Sequence, residues 1–257
     1  MKQKPHALIF SGYGLNTEEE TKSTFEACGA DADIVHINEL IEKPSLLKQY
    51  QIAVLPGGFS YGDDTGGGKA YARKLSHHLG EPLQRFLERD TLFAGICNGF
   101  QIATNAGILP GALISNDFPR YVCRWVDVVV TGESPWTVGI ERMSIPIAHG
   151  EGRYYDSEKN LNFLESNGQT LFKYVKGSIS KELGLPYNPN GSLRDIAGVS
   201  ARDGRVVGLM PHPERAVRFT QHPLWVDMRE KFSKQGKKIP KEGDGLQMFK
   251  NAVSYFA

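Results

Sequence analysis

Four short apolar runs in the first hundred residues constrain the fold of this 257-residue chain more than any other feature. They are HALIFSG (6–12), ADIVHI (32–37), QIAVLPGG (51–58) and TLFAGI (91–96), separated by longer stretches compatible with helices. They show little polar alternation, which is the pattern of strands covered on both faces. Residues 17–28 read as a helix with Thr17 as N-cap and Glu20, three residues on, as its capping-box partner. Helices are also expected over 69–79, over 81–89, and over 98–106 where Gly107 closes the last one. Strands alternating with helices predict an α/β fold with a mostly parallel central sheet flanked by helices. In such sheets ligands gather beyond the carboxyl ends of the strands. The PGG of 56–58 and the GICNG of 95–99 both fall there.

The second half changes character. Residues 120–131, 142–150, 170–177, 195–201 and 205–214 read as strands at shorter spacing, with turn-like NPNGS (188–192) and a hairpin at ARDGR (201–205). A β-rich, mainly antiparallel extension is expected, its last strand returning to the central sheet. Residues 221–245 are polar and read as irregular, and GLQMFKNAVSYF (245–256) as an amphipathic helix. With no composition break or repeat, the chain reads as one domain over 1–257.

Composition excludes several classes. Thirty Lys and Arg balance 29 Asp and Glu, so no overall field argues for nucleic acid or an anionic membrane. The KFSKQGKKIPK run (231–241) reads as a solvated basic face. No stretch has the roughly 18 apolar residues of a membrane span, and the N-terminus has no convincing signal-peptide core. The three cysteines, Cys28, Cys97 and Cys123, lack metal-ligand spacing and are too few for a disulfide framework. A cytoplasmic protein without a metal site is expected, with Cys28 and Cys123 as packing residues.

Gly95-Ile96-Cys97-Asn98-Gly99 has the spacing of a nucleophile elbow with cysteine in the central place. The glycines relieve crowding at a turn whose central residue is strained, and the N-terminus of the following helix favours a thiolate. On spacing alone, a strand–Gly–helix junction serves structure as well as catalysis. A cysteine nucleophile needs a histidine base and an orienting carboxylate. Pro211-His212-Pro213-Glu214 supplies both directly after an apolar strand, though in isolation the segment could equally be an ordinary loop. The glycines of Pro56-Gly57-Gly58-Phe59-Ser60 would let backbone N–H groups approach a ligand, as an oxyanion hole requires, or simply make a turn.

Taken together, GICNGFQ, LPGGFSYGDD and MPHPER resemble the class I, triad-type glutamine amidotransferases. IAHGEGRYY, YNPNGSLRDIAGV and the GFSYGDD loop resemble one branch of them, the glutaminase subunits of phosphoribosylformylglycinamidine synthase, over essentially the whole chain. The resemblance implies a flavodoxin-like three-layer fold and a γ-glutamyl thioester formed on Cys97, with His212 moving protons and Glu214 orienting it. It implies an oxyanion held by the backbone N–H groups of Gly58 and Asn98. It also implies contacts to glutamine from Gln101, from the Gly57, Phe59 and Ser60 loop, and from His149 and Gly150, although a packed histidine is the other reading of His149. The implied partners are an ATP- and Mg-using synthetase, which converts formylglycinamide ribonucleotide to formylglycinamidine ribonucleotide in purine biosynthesis, and a small bridging subunit. No cofactor is implied in this chain, which has no G-x-x-x-x-G-K-[ST] phosphate loop.

Two segments depart from the commoner form of this branch: the glycine-rich Asp64–Lys69 loop, and SGYGLNTEEE (11–20) in place of a shorter cysteine-containing stretch. The alternatives are a glutaminase serving another synthetase, a free-standing γ-glutamyl hydrolase, or a non-enzymatic subunit on the same fold.

Overall fold

The structure is a computed structural model that describes residues 4–257, so the first three residues of the expected domain lie outside the described residues. The first four expected strands form as β1 (His6–Ser11), β2 (Asp31–His36), β3 (Ile52–Leu55) and β4 (Leu92–Ile96). Helices α1 (Glu18–Ala27), α2 (Ile37–Glu42), α3 (Lys69–Glu88) and α4 (Asn98–Asn105) alternate with them. The later strands are β5 (Ala112–Ile114), β6 (Val122–Val130), β7 (Arg142–His149), β8 (Arg153–Tyr155), β9 (Thr170–Val175), β10 (Ile196–Ala201) and β11 (Val206–Leu209). Helices α5 (Glu158–Ser166), α6 (Ser178–Leu183), α7 (Trp225–Lys234) and α8 (Leu246–Ser254) complete the chain.

Nine strands make one sheet in the order β2-β1-β3-β4-β11-β10-β9-β6-β7. From β2 to β11 every neighbour is parallel, and from β11 to β7 every neighbour is antiparallel. The β-rich extension therefore continues the central sheet. Its last strand, β11, returns beside β4 as expected, with Leu209 paired to Ile96. β5 and β8 form a separate two-stranded ribbon. Burial explains the apolar runs at the centre, where every residue of β3, β4 and β11 is buried, whereas β2, expected to be covered on both faces, is a partly exposed edge strand. One apolar cluster runs from Ala7 to Val253. Among the described residues no helix is long and apolar enough to cross a membrane.

Five local expectations change, the first being that Cys123, expected to pack, is exposed on β6. The helices expected at 69–79 and 81–89 are a single α3, because Leu75, Leu79, Leu83 and Phe86 continue one buried stripe past Pro82. The carbonyl that Pro82 leaves without a donor belongs to exposed His78, where water can satisfy it. The strand expected to reach residue 214 stops at Leu209, where Pro211 and Pro213 end the ladder and residues 213–215 make a 3₁₀ turn. The polar 221–245 segment contains α7, whose Trp225, Met228 and Phe232 lie on one half-buried face while none of its residues is fully buried. Asp244 Oδ2 then ties the end of that segment to the Ser144 N–H, 2.8 Å away. Finally, Thr17 precedes α1 but its side chain makes no capping bond, because its hydroxyl and the Glu20 carboxylate are both used elsewhere.

Candidate active site

Cys97 ends the turn between β4 and α4 with φ 51° and ψ −107°, a strained conformation for a residue with a side chain. The surrounding backbone holds it there. Its N–H donates to Leu209 O at 2.8 Å, and its carbonyl accepts from Phe100 and Gln101. A Cβ at Gly99 would stand 1.8 Å from Leu55 O, so only glycine lets α4 start this close to the end of β3. Cys97 is 4% exposed, its Sγ 3.6 Å from Ala148 O in β7. The N-terminus of α4 presents its partial positive charge on the same side.

The MPHPER segment crosses beneath β7, the His212 N–H donating to Pro146 O at 2.8 Å. His212 Nδ1 lies 2.6 Å from Glu214 Oε1, and both side chains are almost wholly buried. Its Nε2 is buried without a hydrogen-bond partner and faces the Cys97 thiol. Burial alone would push the His212 pKa down, but the Glu214 carboxylate and Cys97 outweigh it and raise the ring well above its ordinary value. At neutral pH His212 is therefore a charged donor aimed at the sulfur. Arg215, the next residue, donates to Glu20 Oε1 at 3.1 Å, which fastens this turn to α1.

The PGG strand end forms the opposite wall. A Cβ at Gly57 would fall 2.6 Å from His212 Cε1, so glycine is required for the base to occupy its place. The backbone N–H groups of Gly58 and Asn98 donate to no acceptor among the described residues. Ser60 is buried, with its hydroxyl unpartnered and its N–H donating to Asn98 Oδ1 at 3.0 Å. Phe59 is exposed at the rim and leans on Tyr121 at 5.9 Å between ring centroids. Asn98 Nδ2 donates in turn to Gln101 Oε1 at 2.7 Å.

Gln101 and His149 are near the site but already engaged. Gln101 Nε2 donates to Glu151 O at 2.6 Å, so both ends of its amide hold protein groups. His149 Nδ1 meets Asn116 Oδ1 at 3.1 Å, and Nε2 meets Asn190 Nδ2 at 3.4 Å. Burial, reinforced by the charge of His212, lowers the His149 pKa to about 3, so the ring is neutral. With both nitrogens occupied, the His149 ring braces the wall and has no free nitrogen for a ligand. Gly150 contributes its carbonyl, which accepts from the Asn116 N–H at 3.0 Å.

Sequence reasoning missed what joins these pieces. Asn190 donates to Gly152 O at 2.7 Å, Tyr154 N–H to Ser192 Oγ at 3.0 Å, and Arg153 Nε to Gly191 O at 3.0 Å. The HGEGR and NPNGS segments thus interlock. The glycine-rich loop joins them through the Gly67 N–H, 2.8 Å from Glu151 Oε2. Asp63 in the same loop has its pKa raised by burial and by Glu151. The signal for this was the unusual motif segments, but nothing in their spacing said that they meet.

A cavity of about 720 Å³ lies elsewhere, between residues 44–48 and the second half of α3. Its arginines are already used, Arg85 on Glu81 and Arg89 on the backbone carbonyls of Leu47 and Tyr50.

A family model described as a CobB/CobQ-like glutamine amidotransferase domain matches residues 4–256. With the sheet and elbow above, this defines the class as a glutamine amidotransferase domain. Phosphoribosylformylglycinamidine synthase subunit PurQ of Methanococcus maripaludis is 44% identical, covering 100% of this chain and 99% of its own. The same subunit of Dehalococcoides mccartyi is 41% identical over 98% of both chains. A chain in the solved structure of PurLQS from Thermotoga maritima superimposes with a TM-score of 0.73 at 32% identity, covering 99% of this chain and 100% of that one. Within the glutamine amidotransferases, the chain belongs to the family of PurQ subunits of phosphoribosylformylglycinamidine synthase.

Proposed function

We propose that this chain hydrolyses glutamine at Cys97 and delivers the ammonia to a partner synthetase that converts formylglycinamide ribonucleotide to formylglycinamidine ribonucleotide. The observation that carries the reading is the strained Cys97 facing a buried, charged His212–Glu214 pair, with the unengaged Gly58 and Asn98 N–H groups alongside. With the Cys97 proton held on His212, the thiolate sulfur attacks the side-chain amide carbon of glutamine, and the resulting oxyanion takes hydrogen bonds from those two N–H groups. His212 Nε2 gives its proton to the amide nitrogen, the C–N bond breaks, and ammonia leaves a γ-glutamyl thioester. His212 then takes a proton from water, the hydroxide oxygen attacks the thioester, and glutamate departs with the sulfur released. Glu214 holds the ring and its charge through both halves.

Gly57, Phe59 and Ser60 line the α-amino and carboxylate end of glutamine, where the unpartnered Ser60 hydroxyl is the polar group at hand. Gln101 fixes the N-terminus of α4 through Asn98, while His149 and Gly150 shape the facing wall. The glutaminase half uses only protein groups and water. ATP and Mg²⁺ act on the synthetase, and the small subunit bridges the two within the cytoplasm.

The test is glutamate release from glutamine by this chain, with and without the organism's synthetase and small subunit, ATP and formylglycinamide ribonucleotide. Strong stimulation by the complete set is expected. Equal rates with and without it would assign the chain to a free-standing hydrolase or to another synthetase.

A further inference from the structure

The geometry points to Thr17 as a positioning residue that keeps the Gly57–Gly58 peptide turned so that the Gly58 N–H faces the reacting carbon. This rests on the reaction proposed above and extends it to a residue in the SGYGLNTEEE segment, one of the two that depart from the commoner form of the branch.

A peptide between two glycines is easy to flip, because neither neighbour has a Cβ to restrict the accompanying change in ψ and φ. Flipped, it would put a carbonyl oxygen where the oxyanion forms. The peptide is planar and trans, so fixing its carbonyl fixes its N–H in the opposite direction. Here the Gly57 carbonyl accepts from the Asn16 N–H at 2.9 Å and the Thr17 N–H at 3.2 Å. Thr17 Oγ1 then accepts the Gly57 N–H at 2.8 Å, so one residue holds the glycine on both sides. Phe59 N–H, bound to Gly14 O at 2.8 Å, secures the next unit. Among the described residues, the only N–H left without an acceptor from Gly57 to Ser60 is that of Gly58. Thr17 is 1% exposed and does not cap its own helix, so its hydroxyl is committed to this bond.

Removing the hydroxyl leaves the buried N–H of the preceding Pro56–Gly57 peptide without an acceptor. Rotating Gly57 to relieve it draws its carbonyl off the Asn16 and Thr17 N–H groups, which frees the Gly57–Gly58 peptide to turn. Thr17→Val keeps the side-chain shape. Thr17→Ala and Thr17→Ser lack the same methyl and differ only in the hydroxyl. The assembled complex is assayed for glutamine-dependent and ammonium-dependent synthesis, and for alkylation of Cys97 by iodoacetamide. The expected result is a loss of kcat for glutamine in Val and Ala of at least about tenfold, bounded by the roughly 10²–10³ cost of losing an oxyanion donor outright. KM should stay within about twofold. Ser should restore most of the rate, with ammonium-dependent synthesis and alkylation unchanged in all three. Wild-type kcat in the Ala variant, or equal loss in Ala and Ser, would overturn the assignment. If Val does not fold, the Ala–Ser comparison decides alone. A wild-type complex that consumes ammonium but not glutamine would instead refute the glutaminase reading beneath it.

Discussion

His212 Nδ1 and Glu214 Oε1 stand 2.6 Å apart, both out of contact with solvent, with one proline between them in the chain. Pro213 opens a 3₁₀ turn, a position its fixed φ suits, and the ring and the carboxylate meet on one side of that turn. Glu214→Gln preserves the shape and removes the carboxylate charge that raises the His212 pKa, leaving Cys97 alone to oppose the lowering by burial. We expect kcat for glutamine to fall about 10²–10⁴-fold, the usual contribution of a positioned acid–base group. Glutamate release by the assembled complex measures it, and ammonium-dependent synthesis should be unaffected.

Gly57→Ala tests the contact between the two arms of the site. The added methyl would lie 2.6 Å from His212 Cε1 and 3.2 Å from Nδ1, so the base must shift. A cost of about 1–3 kcal/mol in stability is expected from such overpacking. The glutaminase rate should fall much further than stability does, and a thermal melt beside a glutamate-release assay separates the two.

The fold and the elbow were legible in sequence because each is local. Uninterrupted apolar runs report strands buried on both faces, and a glycine on either side of Cys97 reports a turn that needs them. The HPE segment was legible for the same reason. What was not legible depends on distant partners. Thr17 and Glu20 have the spacing of a capping box, yet Gly57 and Arg215 claim their side chains. Gln101 and His149 read as ligand contacts, yet Asn98, Glu151, Asn116 and Asn190 occupy their polar atoms. The helix α7 was missed because its apolar face, Trp225, Met228 and Phe232, is short, stands among charged residues and is only half buried.

Asn190 links the two branch-specific segments and is 1% exposed. Asn190→Ala leaves Gly152 O and His149 Nε2 without this donor, at a cost of about 1–3 kcal/mol for such buried groups. Chemical denaturation should show the loss, with iodoacetamide alkylation of Cys97 less affected than in Glu214→Gln.

His149 predicts an acid-side loss of stability. Its folded pKa, about 3, lies below the unfolded value of 6.5, so below pH 6.5 the unfolded chain binds more protons than the folded one. The contribution is intact above about pH 6.5 and is lost as the pH falls toward 3, at up to about 1.4 kcal/mol per pH unit. Urea unfolding between pH 4 and 7 should show this slope. His149→Gln, which cannot be protonated, should flatten it, and an unchanged slope in the variant would assign the effect to other groups.

The most direct measurement of the central claim is Cys97→Ser in the assembled complex, assayed once with glutamine and once with ammonium. The account predicts that glutamine-dependent synthesis disappears while ammonium-dependent synthesis continues at the wild-type rate. Retained glutamine-dependent synthesis, or loss of both activities in a complex that still assembles, would contradict it.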